Sequence, residues 1–184
     1  MGDWLTFDQM WKANQEILKS GCSSLEAELN KPEDIQAIHD AVVKVAEESK
    51  LEPSFILAEM LQESLCCVRV KTTEYSHKNP GLMQSYMGTG TCVQKAECPA
   101  STILQMVKDG VTGTAQGPGL LQNYGDAKGT GAQKYYRASR LYNSGSVPAS
   151  GDLGAAGATE CYCSDIANRL IGFANGDSQC TLNT

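Results

Sequence analysis

A carboxylic acid at the end of an apolar helix is the residue of this chain best suited to acid–base chemistry. Glu63 ends a run in which apolar side chains fill most positions from Phe55 to Leu61, and a polar loop with the turn Asn79-Pro80-Gly81 follows. Burial raises the pKa of a carboxyl group, which then stays protonated near neutral pH and can donate a proton to a leaving oxygen. Position alone favours an ordinary solvated charge, so the neighbouring motifs decide whether Glu63 is a candidate general acid.

Three short motifs accompany Glu63 in a fixed order. Glu63-Ser64 precedes Gly81-Leu82-Met83-Gln84, the turn Tyr142-Asn143-Ser144-Gly145 comes next, and a helix led by Tyr162 follows. In order and spacing they resemble the E-S, G-L-M-Q, Y-N-A-G and final-helix motifs of goose-type lysozymes and soluble lytic transglycosylases. The resemblance covers about residues 55–175. It implies a mainly α, lysozyme-like fold with a saccharide cleft, in a single catalytic domain over residues 1–184.

The resemblance also implies roles for the residues around the acid. Glu63 would protonate the glycosidic oxygen of a β-1,4 link between N-acetylmuramic acid and N-acetylglucosamine in peptidoglycan, and Ser64 would support its geometry. Gln84 is expected to offer its amide to an N-acetylated sugar, and Met83 to lie against a sugar face.

Two further motifs are expected to flank the acid. In the Tyr-Asn-Ser-Gly turn, the phenol of Tyr142 is expected to help orient Glu63, and the amide of Asn143 to contact substrate. Tyr162 matches a family tyrosine whose hydroxyl approaches the catalytic carboxyl. Tyrosines at helical spacing are usually core residues with a satisfied hydroxyl, so this sequence pattern also suits a purely structural role.

The second carboxylate of glycoside hydrolysis is where the chain departs from goose-type lysozymes. Glycosidases commonly use a second acid as nucleophile or as the base for water. Tyr86 replaces the acid that those lysozymes carry after G-L-M-Q, and Glu74 is the only nearby counterpart of the acid in their preceding loop. Either Glu74 serves in hydrolysis, or Glu63 works alone by the lytic transglycosylase route, in which the sugar's C6 hydroxyl attacks and leaves a 1,6-anhydro end.

The charge of the chain bears on its partners. A formal net charge of -6 argues against nucleic acid, whose phosphates favour basic surfaces. It also suits neutral chitin or cationic chitosan better than an anionic wall, so a chitinase or chitosanase on the same fold is one alternative. A glycan-binding or host-interaction protein without turnover is another. We expect a monomer. No stretch approaches about 18 consecutive apolar residues, so we also expect no membrane span. The N-terminus lacks a signal-peptide pattern, as a secreted protein in its mature form would.

Cysteine content predicts the compartment. Eight cysteines in 184 residues indicate disulfides or a metal site. Zinc sites use cysteines at ligand spacing, whereas Cys66 and Cys67 are adjacent and Cys161 and Cys163 are separated by one residue. We therefore expect disulfides, no metal or cofactor, and an extracellular, secreted protein.

The pairing of the cysteines is mostly open from sequence. Cys92 and Cys98 close a short loop and form the one pair that spacing indicates. Adjacent cysteines rarely pair with each other, so Cys66 and Cys67 are expected to tie the end of the Glu63 helix to two separate segments. No thiol is then expected to remain free.

The apolar periodicity predicts helices and almost no strands. Thr6 and Gln9 form a capping box, Pro32 and Pro53 suit first helical turns, and Gly176 is a plausible stop for the last helix. The helix with Glu63 is apolar around most of its circumference and is expected to be central and buried. Helices are expected over about 7–19, from 32, over 54–65, from 99, and over 119–124, 132–142 and 162–174, with glycine-rich loops at 110–131 and 143–160.

Overall fold

A computed structural model describes residues 2–74, 76–174, 178 and 180 of the chain. The protein is mainly helical. Within the described residues it has eight α-helices, one 3-10 helix at Gly21–Leu25, and two short strands. The helices are α1 (Phe7–Ala13), α2 (Gln15–Ser20), α3 (Pro32–Ser49), α4 (Pro53–Ser64), α5 (Ala100–Thr112), α6 (Leu120–Asp126), α7 (Gly131–Ser144) and α8 (Tyr162–Leu170). Strands β1 (Thr73–Glu74) and β2 (Lys78–Asn79) pair in antiparallel fashion.

The N-terminal helix is interrupted where the sequence predicts continuity. The capping box forms as predicted, with the Gln9 amide N–H donating to the Thr6 hydroxyl and the Thr6 N–H donating to the Gln9 side chain. The helix then breaks at Asn14, whose side-chain amide donates to the Met10 carbonyl over 2.8 Å. A side chain that competes for backbone carbonyls favours such a break. The prediction of a single helix over 7–19 is therefore wrong at this residue.

Helix α4 lies at the centre of the molecule. It contacts α1, α3 and α8, and its apolar side chains are fully buried at Phe55, Ile56, Leu57, Met60 and Leu61. Each such side chain contributes about 1.5–3 kcal/mol by leaving water. The prediction of a central buried helix is confirmed.

The segment after α4 is fixed from three sides. Leu65 and Cys66 adopt positive φ angles of 52° and 58°, which end the helix and turn the chain sharply. The buried amide of Asn30 donates to the Leu18 and Cys66 carbonyls, and its oxygen accepts from the Val68 N–H. These bonds hold the carboxyl end of α4 in place.

A buried ion pair adds to this fixation. Arg69 donates to Asp34 of α3 over 2.7 Å, and both side chains are almost fully buried. Arg69 also donates to the carbonyls of Lys95 and Ala96. Removing one member of such a pair typically costs about 3–5 kcal/mol. The pair thus joins α3, the segment after α4 and the loop before α5.

Apart from the break at Asn14, helix positions agree with the prediction except at the chain's end. Those after residue 99 begin within a residue or two of the predicted positions. The last helix, α8, ends at Leu170, earlier than the predicted residue 174, and Gly172 follows with a φ of 104°. Gly176, the predicted stop, lies outside the described residues. Within the part of the chain that the structure describes, no helix is both long and apolar enough to cross a bilayer.

Three disulfides are present, and the expectation that every cysteine is paired is wrong. Cys92–Cys98 is confirmed, and the other bridges are Cys22–Cys67 and Cys161–Cys180. Cys66 and Cys163 are buried free thiols.

The adjacent cysteines differ because they face different clusters. Cys66 lies in the main core, whereas Cys67 packs with Cys22 and Val70 in a small separate cluster. Cys163 also lies in the main core, where its thiol donates to the Tyr136 carbonyl. Of these two adjacent cysteines, only Cys67 therefore ties the end of α4 to another segment through a disulfide.

Candidate active site

A cleft of about 720 Å³ opens beside the carboxyl end of α4. Its walls come from the last turn of α4, the β1–β2 ribbon, the Gly-Leu-Met-Gln loop, the end of α7 and the loop before α8. The lining residues that bear on chemistry are Glu63, His77, Gln84, Tyr86, Tyr142 and Asn143. The structure thus brings four of the sequence-predicted site residues into one cleft.

Glu63 lies in the last turn of α4 with its side chain half-buried at the cleft. Its Oε1 lies 2.5 Å from the hydroxyl of Tyr162. Burial raises the pKa of Glu63 above its ordinary value, the Tyr162 hydrogen bond lowers it, and nearby Glu59 raises it further. The raised pKa keeps this carboxyl protonated to a higher pH than an ordinary glutamate, as a general acid requires.

A second carboxyl, that of Glu59, lies next to Glu63 and was not identified from the sequence. Glu59 lies one turn before Glu63 on α4 and is fully buried. The Ser139 hydroxyl donates to its Oε1, and the Tyr162 hydroxyl lies 2.6 Å from its Oε2. Burial raises the pKa of Glu59 above its ordinary value, while the hydrogen bonds of Ser139 and Tyr162 oppose the rise. An acid four residues before Glu63, amid an apolar run, was the available signal.

Tyr162 is the first residue of α8 and contacts both carboxyls. Its N–H donates to the Thr159 carbonyl, and the preceding Cys161 is bonded to Cys180. Helix α8 packs on α4 and α7, which places the phenol against the buried acids. Burial and the two carboxyls raise the pKa of Tyr162 well above its ordinary value. The phenol therefore stays neutral.

Ser64 fixes the Gly-Leu-Met-Gln loop to the acid-bearing helix. Its buried hydroxyl donates to the Leu82 carbonyl over 2.6 Å. Gly81 has a φ of 77°, and a Cβ there would lie 2.6 Å from the Gly90 carbonyl oxygen, so only glycine fits this turn. Ser64 thus acts on the position of the loop and does not face the cleft.

Gln84 lines the cleft, and its amide is engaged within the protein. The side-chain oxygen accepts from the Thr73 hydroxyl over 2.8 Å, and the nitrogen donates to the Gly81 carbonyl over 3.0 Å. These bonds join the Gly-Leu-Met-Gln loop to β1. Substrate would meet an amide already oriented by the protein.

The side chain of Tyr142 contacts the backbone of Met83. The Met83 side chain is fully buried and packs against Gly110 of α5, away from the cleft-lining residues. Its carbonyl accepts a hydrogen bond of 2.7 Å from the Tyr142 hydroxyl. Burial raises the pKa of Tyr142 well above its ordinary value. Tyr142 therefore lines the cleft as a neutral phenol that holds the loop rather than the carboxyl of Glu63.

Asn143 ties the end of α7 to the loop before α8. Its side-chain oxygen accepts from the Thr159 N–H over 3.1 Å. The side chain is half-buried at the cleft. Asn143 thereby holds in place the part of the cleft lining that precedes Tyr162.

Glu74 lies in β1, opposite Lys78, with an exposed side chain. It does not line the cleft, and among the described lining residues Glu63 is the only carboxylic acid. Glu59 is also unavailable to substrate because it is fully buried behind Tyr162. The described lining of the cleft therefore presents one carboxyl to a bound ligand.

An aromatic pair also lines the cleft and was not predicted as a binding surface. The rings of His77 and Tyr86 lie 4.0 Å apart between centroids, and Tyr86 is 42% exposed. The Thr114 hydroxyl donates to the Tyr86 carbonyl, which fixes the backbone beneath the ring. An exposed, supported aromatic face of this kind suits the apolar face of a sugar or another flat ligand.

Across the described part of the chain, the His, Cys, Asp and Glu side chains form no group of three or more that could hold a metal ion. No protein-family model, no curated protein and no solved structure matches the chain, so its function is inferred from the geometry of this cleft.

Proposed function

We propose that the chain is a secreted, lysozyme-like enzyme that cleaves β-1,4 links between N-acetylmuramic acid and N-acetylglucosamine in peptidoglycan. The observation that carries the proposal is the Glu63 carboxyl, which lines a cleft, contacts the Tyr162 hydroxyl and has a pKa raised by burial. The order of the motifs around Glu63 supports the same class of enzyme. The three disulfides support an oxidising, extracellular location.

Glu63 acts first as acid and then as base. Its carboxyl proton passes to the glycosidic oxygen as the bond between that oxygen and C1 of the muramic acid residue breaks. The resulting carboxylate accepts a hydrogen bond from the Tyr162 hydroxyl, which stabilises the charge. Glu63 then takes the proton of the attacking hydroxyl and returns to its starting state.

The single carboxyl of the cleft favours the lytic transglycosylase route. Hydrolysis usually needs a second carboxylate to activate water or to trap the sugar. Glu74 is exposed on the ribbon outside the lining, and Glu59 has no access to the cleft. Attack by the C6 hydroxyl of the same muramic acid residue needs only Glu63 as base and gives a 1,6-anhydro end.

Polar and aromatic groups of the cleft match an N-acetylated glycan. Gln84 and Asn143 present amides at the wall, and Tyr86 presents a ring face. The net charge of -6 suits chitin or chitosan as well, which keeps a chitinase or chitosanase as the second candidate. A glycan-binding protein without turnover is the third, supported by the absence of a second acid from the described lining.

Clearing of purified peptidoglycan and of chitosan by matched variants tests the proposal. We expect the wild type to clear peptidoglycan and Glu63→Gln to lose clearing, with a Glu47→Gln variant on the exposed face of α3 as the charge-matched control. Equal clearing by wild type and Glu63→Gln refutes the role of Glu63. Binding without clearing by the wild type supports the non-catalytic candidate, and clearing of chitosan alone supports the second candidate.

Glu74→Gln separates the two routes within the leading candidate. The single-carboxyl route predicts that this variant clears peptidoglycan at a rate close to that of Glu47→Gln. Loss of clearing by Glu74→Gln would restore Glu74 as the second carboxylate of a hydrolase.

A further inference from the structure

One phenol oxygen serves two carboxyls in this protein. The Tyr162 oxygen lies 2.6 Å from Oε2 of Glu59 and 2.5 Å from Oε1 of Glu63. Oxygen atoms at such distances have a proton between them. A neutral tyrosine hydroxyl has one proton and can donate it to one carboxyl only. The other contact therefore needs a proton that belongs to a carboxylic acid.

The hydrogen bonds around Glu59 show which of its oxygens can carry that proton. The Ser139 hydroxyl donates to Oε1 of Glu59, so this oxygen is an acceptor. Oε2 faces Tyr162 and is the oxygen left for a proton. Glu63 differs, because its Oε2 has no hydrogen-bond partner among the described residues and its side chain lines the cleft.

The surroundings disfavour a negative charge on Glu59. The titratable groups that interact with it are Tyr162 and Cys163 on α8, Tyr142 on α7 and Glu63 on its own helix, and none is a cation. Two guanidinium groups on the same helices, that of buried Arg140 and that of half-buried Arg169, have other partners. Arg140 of α7 donates to the Leu153 and Ala155 carbonyls, and Arg169 of α8 donates to the Gln62 side chain.

Exposure decides which carboxyl ionises first. Glu59 is fully buried, whereas Glu63 is partly exposed to the cleft and can be solvated there. The single Tyr162 proton stabilises a negative charge only on the carboxyl that receives it. The difference in exposure therefore places the first negative charge of the pair on Glu63.

We propose that Glu59 is a positioning residue that remains protonated during catalysis and donates from Oε2 to the Tyr162 oxygen, which directs the phenol proton to Oε1 of Glu63. Oε2 of Glu63 then carries the acid proton toward the glycosidic oxygen. When that proton leaves, the pair holds one negative charge, on Glu63. The charge returns to zero when Glu63 accepts the proton of the attacking hydroxyl, and Glu59 keeps its own proton throughout.

Infrared titration of the intact protein tests the proton on Glu59 without any substrate. Carboxylic acid and carboxylate bands are assigned through Glu59→Gln and Glu63→Gln, with Glu47→Gln as the exposed control. We expect the acid band of Glu59 to persist at pH values where Glu63 has ionised, and Glu59 to ionise at a lower pH in Glu63→Gln because the like charge is gone. A Glu59 that ionises before Glu63, or near the ordinary value, overturns the proposal.

Kinetics test the positioning role, and this part rests on the proposed function. A glutamine at residue 59 can accept from Ser139 and donate to Tyr162, so it imitates the protonated acid, whereas methionine cannot donate. We expect Glu59→Gln to keep the alkaline limb of kcat/KM within about half a pH unit of wild type and to lower kcat by no more than about tenfold. Glu59→Met is expected to lower kcat by about a hundredfold or more, in the range seen when one preorganised donor is removed.

The outcomes separate the inference from the proposed function. An alkaline limb shifted to lower pH by about one unit or more in Glu59→Gln would show that wild-type Glu59 is charged, and would overturn the inference alone. Equal kcat in the Gln and Met variants would also overturn it. If Glu59→Met does not fold, the Gln variant and the infrared titration still decide. If the folded wild type acts on neither glycan, the proposed function fails, and the infrared titration alone decides the protonation of Glu59.

Discussion

Glu59 and Glu63 lie one turn apart on α4, and the hydroxyl of Tyr162 contacts both, at 2.6 Å and 2.5 Å. Only Glu63 lines the cleft. This arrangement separates a carboxyl that can exchange protons with a ligand from one that is shielded from it. The chemistry proposed for the protein depends on that separation.

Tyr162→Phe is expected to lower kcat by about a hundredfold, because it removes the donor that stabilises the Glu63 carboxylate. The Tyr162 hydrogen bond lowers the pKa of Glu63, so its loss raises that pKa and moves the alkaline limb of kcat/KM to higher pH. The pH–rate profile measures both effects. Tyr142→Phe is the control, since that hydroxyl bonds the Met83 carbonyl and should leave the limb in place. A limb that moves to lower pH in Tyr162→Phe would contradict this role.

Stability is expected to depend on pH through the two buried acids. Burial raises the pKa of both Glu59 and Glu63 above the ordinary value of 4.5. From about pH 4.5 up to the pH at which both groups have ionised in the folded chain, the folded chain therefore binds more protons than the unfolded chain at these groups. Their contribution to the free energy of unfolding falls as pH rises through this window and is constant below it.

Urea denaturation across that window measures the effect. Glu59→Gln should flatten the fall, because one of the two acids no longer titrates. Glu47→Gln should leave the slope of wild type intact. An equal slope in wild type and Glu59→Gln would contradict a raised pKa at Glu59.

Two thiols per chain are expected to be free and protected, those of Cys66 and Cys163. Burial raises the pKa of each to about 12, so little thiolate exists at neutral pH. A thiol reagent should find almost none in the native protein and two in denaturant without reductant. None in denaturant would mean a fourth disulfide, and more than two would mean that one of the three bridges is absent.

Tyr86→Ala is expected to raise KM about fivefold with a smaller effect on kcat, since a stacking contact is typically worth about 1 kcal/mol. The ring is exposed beside His77 and takes no part in the proton transfer proposed for Glu63. Tyr86→Trp keeps an aromatic face and should retain a KM near that of wild type. An unchanged KM in Tyr86→Ala would remove this wall from the binding surface.

The sequence predicts the helices well because local signals mark their starts. Pro32 and Pro53 occupy first turns, and the apolar pattern of α4 identifies the central helix. The break at Asn14 depends on one side-chain hydrogen bond to the Met10 carbonyl, which apolar periodicity does not register. The separation of Cys66 from Cys67 depends on which cluster each side chain faces.

The sequence is less informative about the site, because roles there depend on contacts between distant segments. Glu63, Tyr142 and Asn143 are all identified by motif and lie at the cleft. Met83 is also identified by motif, yet its side chain packs against Gly110 in the core. Glu59 carries no motif, and its importance emerges only when α8 places Tyr162 against it.

The masses of the products released from purified peptidoglycan test the single-carboxyl mechanism most directly. Wild-type protein should release muropeptides that lack one water and end in 1,6-anhydro-N-acetylmuramic acid, and Glu63→Gln should release none. Fully hydrated products from wild type, or anhydro products from Glu63→Gln at the wild-type rate, would contradict a mechanism in which Glu63 alone serves as acid and base.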